Sequence, residues 1–503
     1  MPEGRGDRTP GHRTPGPGTP GPGKPAPGKP GPGVRRRRAS HGRTRVNPGR
    51  RIAFDVLVAV DDDDAYANLL LPARLSRAGL STADAGLATE LTYGTLRGRG
   101  LYDAIIAHAA GRPVDKLDTP ARNALRLGAH QLLDMNTAAH AAVNETVGLM
   151  RATKHMKAAG FVNAVMRRIS ERSRAEWLDL VTAAAGDDEK TGLTYAHPAW
   201  IVAALRRSLT AHGRDAGELT ALLEADNVPA RVCLTALPGL ADRQAIAAGC
   251  GTPTALSPLG VELTSGDPYA LAEVQAGRAR VQDEGSQLVA LGLTAACAPD
   301  GPVLDLCAGP GGKTAILAAD AAATGTPVVA CDVSAHRAEL VRDSVRAIDA
   351  DVTVLTADGR SLADDHLGRY ARVLADVPCT GLGALRRRPE ARWRRRAADV
   401  EALQPIQRAL LTRAIELTAP GGVVAYTTCS PHHGETIDIV TQVLTASGTD
   451  VEVLDAPSIL AKVTGQDAAT FASAKIGTGQ AVQLWPHVHG TDGMFLALLR
   501  RTR

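Results

Sequence analysis

Nothing in this 503-residue chain is apolar for long enough to cross a bilayer, which takes roughly 20 consecutive residues. No segment joins a charged start, an apolar core and a small-residue cleavage site, so the cytoplasm is the expected location and no membrane partner is expected. The seven cysteines, at 233, 250, 297, 307, 331, 379 and 429, include no Cys-x-x-Cys pair. An odd number without ligand spacing argues for reduced thiols over a disulfide frame or a zinc site, and no metal is implied. Residues 51–172 hold no cysteine at all, which argues against thiol chemistry there.

Charge is present but unevenly spread. The first 51 residues carry 13 Lys/Arg against two acids, whereas the rest carry 44 against 51. Residues 1–50 repeat Gly, Pro and Arg with few apolar side chains, so they cannot repay the entropy of ordering and are expected to be a disordered tail. Its Arg35-Arg-Arg-Arg38 run is either a solubilising leader or a tether for a polyanion such as RNA.

Residues 51–172 read as an all-helical unit. Ile52, Asp55, Val56 and Ala59 open an amphipathic stretch that ends in the Asp61–Asp64 run. Asp118-Thr-Pro120 supplies a capping residue before a proline in the first turn. Ala121, Leu125, Gly128 and Leu132 then recur at helical spacing, as do Val143, Val147 and Met150, and Val162, Val165 and Ile169. Residues 173–277 suggest a small α/β module, with helices near 176–185 and after Trp200 and an alternating strand over Asn227–Thr235. Trp200 reads as a packed helix anchor rather than a base-stacking group.

From residue 278 the pattern becomes strand, loop and helix in repetition. Val303–Leu306, Val328–Asp332, Val352–Leu355, Val373–Asp376 and Gly422–Thr427 are the expected strands of a doubly wound parallel sheet. The glycine loop Asp305-Leu-Cys-Ala-Gly-Pro-Gly-Gly-Lys-Thr314 is not a phosphate loop, because Cys307 stands where that motif needs glycine. It suits a turn whose amides approach a compact cofactor tail at a helix start. Asp332 and Asp358 lie at successive strand ends, where ribose hydroxyls and an adenine amino group would meet them, and Asp376 is a third acid at such an end. Cys379 and Cys429 each follow a strand directly, which puts both sulfurs on the ligand-binding edge.

Two resemblances follow from these motifs. Ala53-Phe-Asp-Val-Leu57, Leu91-Thr-Tyr-Gly-Thr-Leu-Arg97, Ala124–Leu132, Val143-Asn-Glu145 and Gly160–Arg168 resemble the NusB-like helical RNA-binding domain. That likeness implies RNA contact through Arg97, Arg99, Lys154, Arg167 and Arg168. Residues 278–503 resemble the Sun/Fmu family of RNA cytosine-5 methyltransferases through Val281–Gln287, Asp305–Thr314, Asp376-Val-Pro-Cys-Thr-Gly-Leu-Gly383, Leu385–Glu390 with Trp393, Thr428-Cys-Ser430 and Asp492-Gly-Met-Phe495. Gly309, Thr380 and Thr436 depart from that family's commoner Ala, Ser and Asn, and Thr436 leaves the support of the Cys429 loop open.

The second resemblance implies a Rossmann-like α/β methyltransferase domain using S-adenosylmethionine. Cys307, Ala308, Gly309, Pro310, Gly311, Gly312, Lys313, Asp332, Asp358 and Asp376 would hold that cofactor. Carbon 5 of cytosine is a poor nucleophile until a thiolate adds to carbon 6. The resemblance gives that attack to Cys429, proton transfer or base contact to Asp376, and to Cys379 help with loss of the carbon-5 proton or with product release. A swap of the two thiols stays open, as does whether Lys313 orients the cofactor or Asp376. Arg386–Arg388 and Arg392–Arg396 around Trp393 are expected to grip RNA phosphates. With the NusB-like front end, the expected partner is 16S ribosomal RNA, unassembled or partly assembled. A transfer-RNA cytosine-5 methyltransferase and a non-catalytic RNA-binding or antitermination factor are the alternatives.

Overall fold

The computed structural model describes residues 46–447 and 450–503. The expected tail therefore lies, as far as residue 45, outside the described residues. Its last three positions are helical, because Asn47 accepts from the Arg50 amide and Pro48 sets the first turn of a helix over Pro48–Asp62.

That helix opens a bundle continued by Ala67–Ala78, Thr82–Arg97, Arg99–Ala110, Thr119–Leu133, Ala139–Arg151 and Ala159–Ile169. Phe54, Leu57, Leu91, Ile105, Leu125, Val147, Val162 and Ile169 meet in one core, each contributing about 1.5–3 kcal/mol by its burial. Asp118 holds the N-cap position of its helix but makes no capping bond with its side chain. The bundle outruns its expected end at 172: Trp177 is buried in the same core and donates to the Ile169 carbonyl at 2.8 Å.

Asp61 is not the solvated helix end that an acidic run suggests. Its carboxylate receives Arg126 at 2.6 Å, Arg122 at 3.0 Å and Arg99 at 3.2 Å. Burial pushes its pKa upward, but the three arginines and Asn123 outweigh that and hold it below 3.8.

The small module has helices over Asp187–Thr194, Ala199–Ala211 and Leu219–Asn227. Its sheet has β1 (Cys233–Ala236), β2 (Gly251–Pro253), β3 (Gly260–Leu263) and β4 (Ala279–Val281) in the order β2-β3-β1-β4. Since β4 pairs with β1, the module runs past the expected boundary at 277. Trp200 is partly buried against the module's apolar helices, as an anchor should be.

The second sheet holds β5 (Val303–Asp305), β6 (Val328–Asp332), β7 (Val352–Thr356), β8 (Tyr370–Asp376), β9 (Thr418–Thr428), β10 (Val451–Val453), β11 (Ala472–Ile476), β12 (Gly479–Gln483) and β13 (Phe495–Arg501). Its order is β11-β12-β13-β9-β8-β5-β6-β7, with β10 on β13. The five expected strands are parallel. An antiparallel extension, β10 to β13, adds to the doubly wound pattern where sequence reading assigned no strands. Chain order reverses at β5, whose neighbours are β6 and β8, and that opens the crevice where such sheets bind ligands.

Candidate active site

The register of the sheet delivers the chemistry to one edge. Asp376 stands opposite Thr427, so β8 and β9 end at the same level and release Cys379 and Cys429 side by side. Their sulfurs are 3.4 Å apart. Across the edge, from β7 to β9, stand Asp358, Asp332, the glycine loop, Asp376 and Cys429.

The loop after β5 turns into a helix over Gly312–Ala322 through Gly311, whose φ of +99° suits glycine. A Cβ there would come within 2.5 Å of Ser344 Oγ. Ser344 donates to the Pro310 carbonyl at 2.9 Å and itself receives Arg280 of β4 at 2.7 Å. The module thus helps to hold the loop, a contact with no sequence motif to signal it.

Lys313 Nζ lies 2.7 Å from Asp376 Oδ2. Burial works against the ammonium, but Asp376 outweighs it and raises the lysine pKa. Asp305 accepts from Thr314 Oγ1 at 2.7 Å, while its Oδ1 is buried with no partner. Burial pushes Asp305 up to about 7. The Cys307 thiol, also buried and beside Asp305, is pushed well above its ordinary range.

The two thiols differ in electrostatics. The sulfur–sulfur hydrogen bond with Cys379 lowers the pKa of Cys429; burial and Asp376 oppose this, and Lys313 and Arg388 reinforce it. The same contact, together with burial and the negative charges of Cys429, Glu435 and Asp376, raises Cys379. Cys429 is therefore the better thiolate and Cys379 the retained thiol.

Asp332 is already engaged. It accepts from the Gly309 amide at 3.0 Å and the Ser334 amide at 2.9 Å, and Arg337 Nε lies 3.3 Å away. Asp358 is bound by Arg360 at 2.6 Å.

The arginine clusters after Cys379 depart most from expectation. Arg386 and Arg387 pair with the buried Asp283 and Asp492. Fully buried Arg392 donates to the Ala196 and Asp226 carbonyls and to Asn227. Trp393 donates to the Leu96 carbonyl, and Arg394 to those of Val60 and Ala65. These groups join the three parts of the chain instead of gripping phosphates; Arg388 and Arg396 are the exposed members. In the bundle, Arg99 pairs with Asp61 and Asp103, and Arg168 donates to Ala109, whereas Lys154 and Arg167 are exposed and without ion pairs among the described residues.

Sequence reading missed Glu435. It is wholly buried and accepts from the Thr380 amide at 2.8 Å, from Gln407 at 3.1 Å, from Ser430 Oγ at 2.6 Å and from the Thr380 hydroxyl. Its place six residues after Cys429 was the only available signal. Thr436, the departure at that loop, is buried and bonded to His212 at 3.2 Å and to the His432 carbonyl at 3.0 Å, so the loop is supported.

Residues 293–500 match the family model described as 16S rRNA methyltransferase RsmB/F, and residues 47–171 match the NusB family. Rv1407 of Mycobacterium tuberculosis (strain ATCC 25618 / H37Rv) is 47% identical across 91% of this chain and 97% of its own length. Ribosomal RNA small subunit methyltransferase B of Pseudomonas putida (strain KT2440) is 31% identical across 90% of this chain and 98% of its own. The crystal structure of PH0851 shares the fold with a TM-score of 0.74 at 20% identity, covering 90% of this chain and 99% of that one.

Proposed function

The chain belongs to the RsmB/F family of RNA methyltransferases, which use S-adenosylmethionine, and from that membership we propose that it methylates carbon 5 of a cytosine in 16S ribosomal RNA through a covalent cysteine–base intermediate. The observation that carries this reading is the 3.4 Å approach of Cys379 and Cys429 beside the Lys313–Asp376 pair. One thiolate with a second, protonated thiol in contact supplies both groups that the reaction needs.

The residues present fit the cofactor. Asp305, at the start of the glycine loop, leaves a buried oxygen unpartnered, and Gly311 takes the positive φ that turns the loop into its helix. Residues 307–313, Asp332, Asp358 and Asp376 would hold it, and when bound it supplies an electrophilic methyl group. Cys429 Sγ adds to carbon 6, and the electron pair of the 5,6 double bond moves to carbon 5, which becomes the nucleophile. Asp376 holds the ring at N3 and the exocyclic amine, with Lys313 fixing its other oxygen. Cys379, its own proton first released to solvent, takes the proton from carbon 5 as a thiolate; the electron pair of that carbon–hydrogen bond re-forms the 5,6 double bond, and the carbon 6–sulfur bond breaks with its pair returning to Cys429. The target base must leave its stack to reach both sulfurs.

Bisulfite sequencing of 16S and transfer RNA from a strain lacking the protein tests the substrate. Loss of one 16S signal is expected; loss only in transfer RNA replaces the substrate assignment. Cys429→Ala should end both methylation and trapping on 5-fluorocytosine RNA, and Cys379→Ala should accumulate the adduct. Trapping that survives without Cys429 reverses the two thiol roles.

A further inference from the structure

Glu435 joins the two cysteine loops without touching either sulfur. Thr380 follows Cys379, Ser430 follows Cys429, and both hydroxyls donate to one oxygen of Glu435. The other oxygen takes the Thr380 amide and the Gln407 side chain, and Gln407 also donates to the Pro378 carbonyl at 2.9 Å. The Glu435 carbonyl accepts from Tyr426 at 2.8 Å, which ties the same residue to β9. No lysine, arginine or histidine pairs with this carboxylate among the described residues, so four hydrogen-bond donors alone offset its burial.

An arrangement so demanding does more than pack. Besides the contact between the sulfurs, the Gly383 amide donates to the Cys429 carbonyl at 2.9 Å. Without the carboxylate, the Thr380 and Ser430 hydroxyls (3.2 Å apart) would have only each other across the gap. The negative charge also sits unequally, raising Cys379 while Lys313 and Arg388 favour the thiolate at Cys429.

We propose that Glu435 is the positioning residue for the thiol pair: by holding both cysteine loops it sets the spacing of Cys379 and Cys429 and, through it, the difference in their reactivity. The proposal rests on the catalytic reading above but makes its own demand on the reactivity of the free enzyme. The Glu435 charge adds to the Cys429 contact and to burial in disfavouring a thiolate at Cys379, and the two sulfurs stay within hydrogen-bond reach of each other. Replacing the carboxylate by an amide leaves one acceptor oxygen where four donors now share two, and it removes the negative charge beside the thiol loops.

The test is competitive alkylation of the purified full-length protein with iodoacetamide, with each cysteine quantified by mass spectrometry. In the native protein Cys429 should be labelled faster than Cys379. Glu435→Gln should lower that preference by about tenfold, the equivalent of one unit in relative thiol ionisation. Thr380→Val, which leaves the carboxylate in place but removes one donor, should lower it in the same direction, and Thr380→Ser should recover most of the loss. These variants should reduce kcat and accumulate adduct on 5-fluorocytosine RNA while the KM for S-adenosylmethionine stays the same.

An unchanged labelling ratio in folded Glu435→Gln overturns the proposal. If that variant does not fold, an unchanged ratio in Thr380→Val overturns it equally. Absence of any adduct in the native protein would instead remove the covalent reading, and the labelling ratio would still judge Glu435.

Discussion

The indole of Trp393 donates to the backbone carbonyl of Leu96 at 2.6 Å, across 297 positions of the chain. Its ring fills the space beside Gly100, where a Cβ would come within 2.4 Å of it. Glu390 accepts from the Ala67 amide, and Arg394 stacks over the Tyr66 ring at 5.4 Å. The segment that leaves the Cys379 loop is thereby fastened to the helical bundle, so the NusB-family domain and the thiol pair share one short strut.

Trp393→Ala should destabilise the protein by about 3 kcal/mol through lost packing and an orphaned carbonyl. Gly100→Leu should act in the same direction by driving the indole out of its seat. Denaturant unfolding followed by tryptophan fluorescence reads both. Native-like midpoints in both variants would mean that the strut carries no load.

Lys313→Met should leave the fold intact and lower the methyl-transfer rate by about 10²-fold, because Asp376 loses the ammonium that fixes it. Lys313→Arg should recover little, since a planar fork does not replace a compact ammonium in a site this enclosed. Single-turnover transfer to RNA is the measurement. A rate within twofold of native would sever Lys313 from the chemistry.

Arg337 lies on the carboxylate expected to receive the cofactor's ribose and also donates to the Gly309 carbonyl. It is half exposed, so displacing it costs about 1 kcal/mol. Arg337→Ala should therefore tighten cofactor binding several-fold in calorimetric titration. Weaker binding would instead make the guanidinium a part of the bound site.

Asp305 gives a signed pH effect. Burial raises its pKa from 3.8 to about 7, so the native state keeps a proton that the unfolded chain gives up near pH 4. Its contribution to stability is complete below pH 4 and is lost as the pH rises through 7. Asp305→Asn cannot ionise, so its Tm relative to the native protein should rise between pH 4 and 7. A difference that stays flat across this window would place the Asp305 pKa near its ordinary value.

What could be read from the sequence was local. Val373–Asp376 and Gly422–Thr427 are short apolar runs ended by chemistry-bearing residues, and such runs point to strand ends whatever lies around them. The glycine loop was equally legible, because it depends on its own backbone and the helix that follows. The arginines were not. A run such as Arg392–Arg396 looks the same whether it faces phosphates or the carbonyls of Ala196, Val60 and Ala65, which arrive from distant parts of the chain. Asp61 was hidden for the same reason, being one of four aspartates in a row and the one that three arginines on later helices surround. Glu435 needed both loops in place before its four donors could be counted.

The order of the sheet also has a consequence for how the chain is made. The strand that ends at Cys429 has β8 on one side and β13 on the other, and Phe495 of β13 meets Thr427 from 68 positions downstream. Throughout the synthesis of those intervening residues the strand before Cys429 has one flank bare, open to pairing with another nascent copy. Translation has to run past Arg501 before that flank is sealed, so slow codons between the two strands would favour aggregation over folded protein.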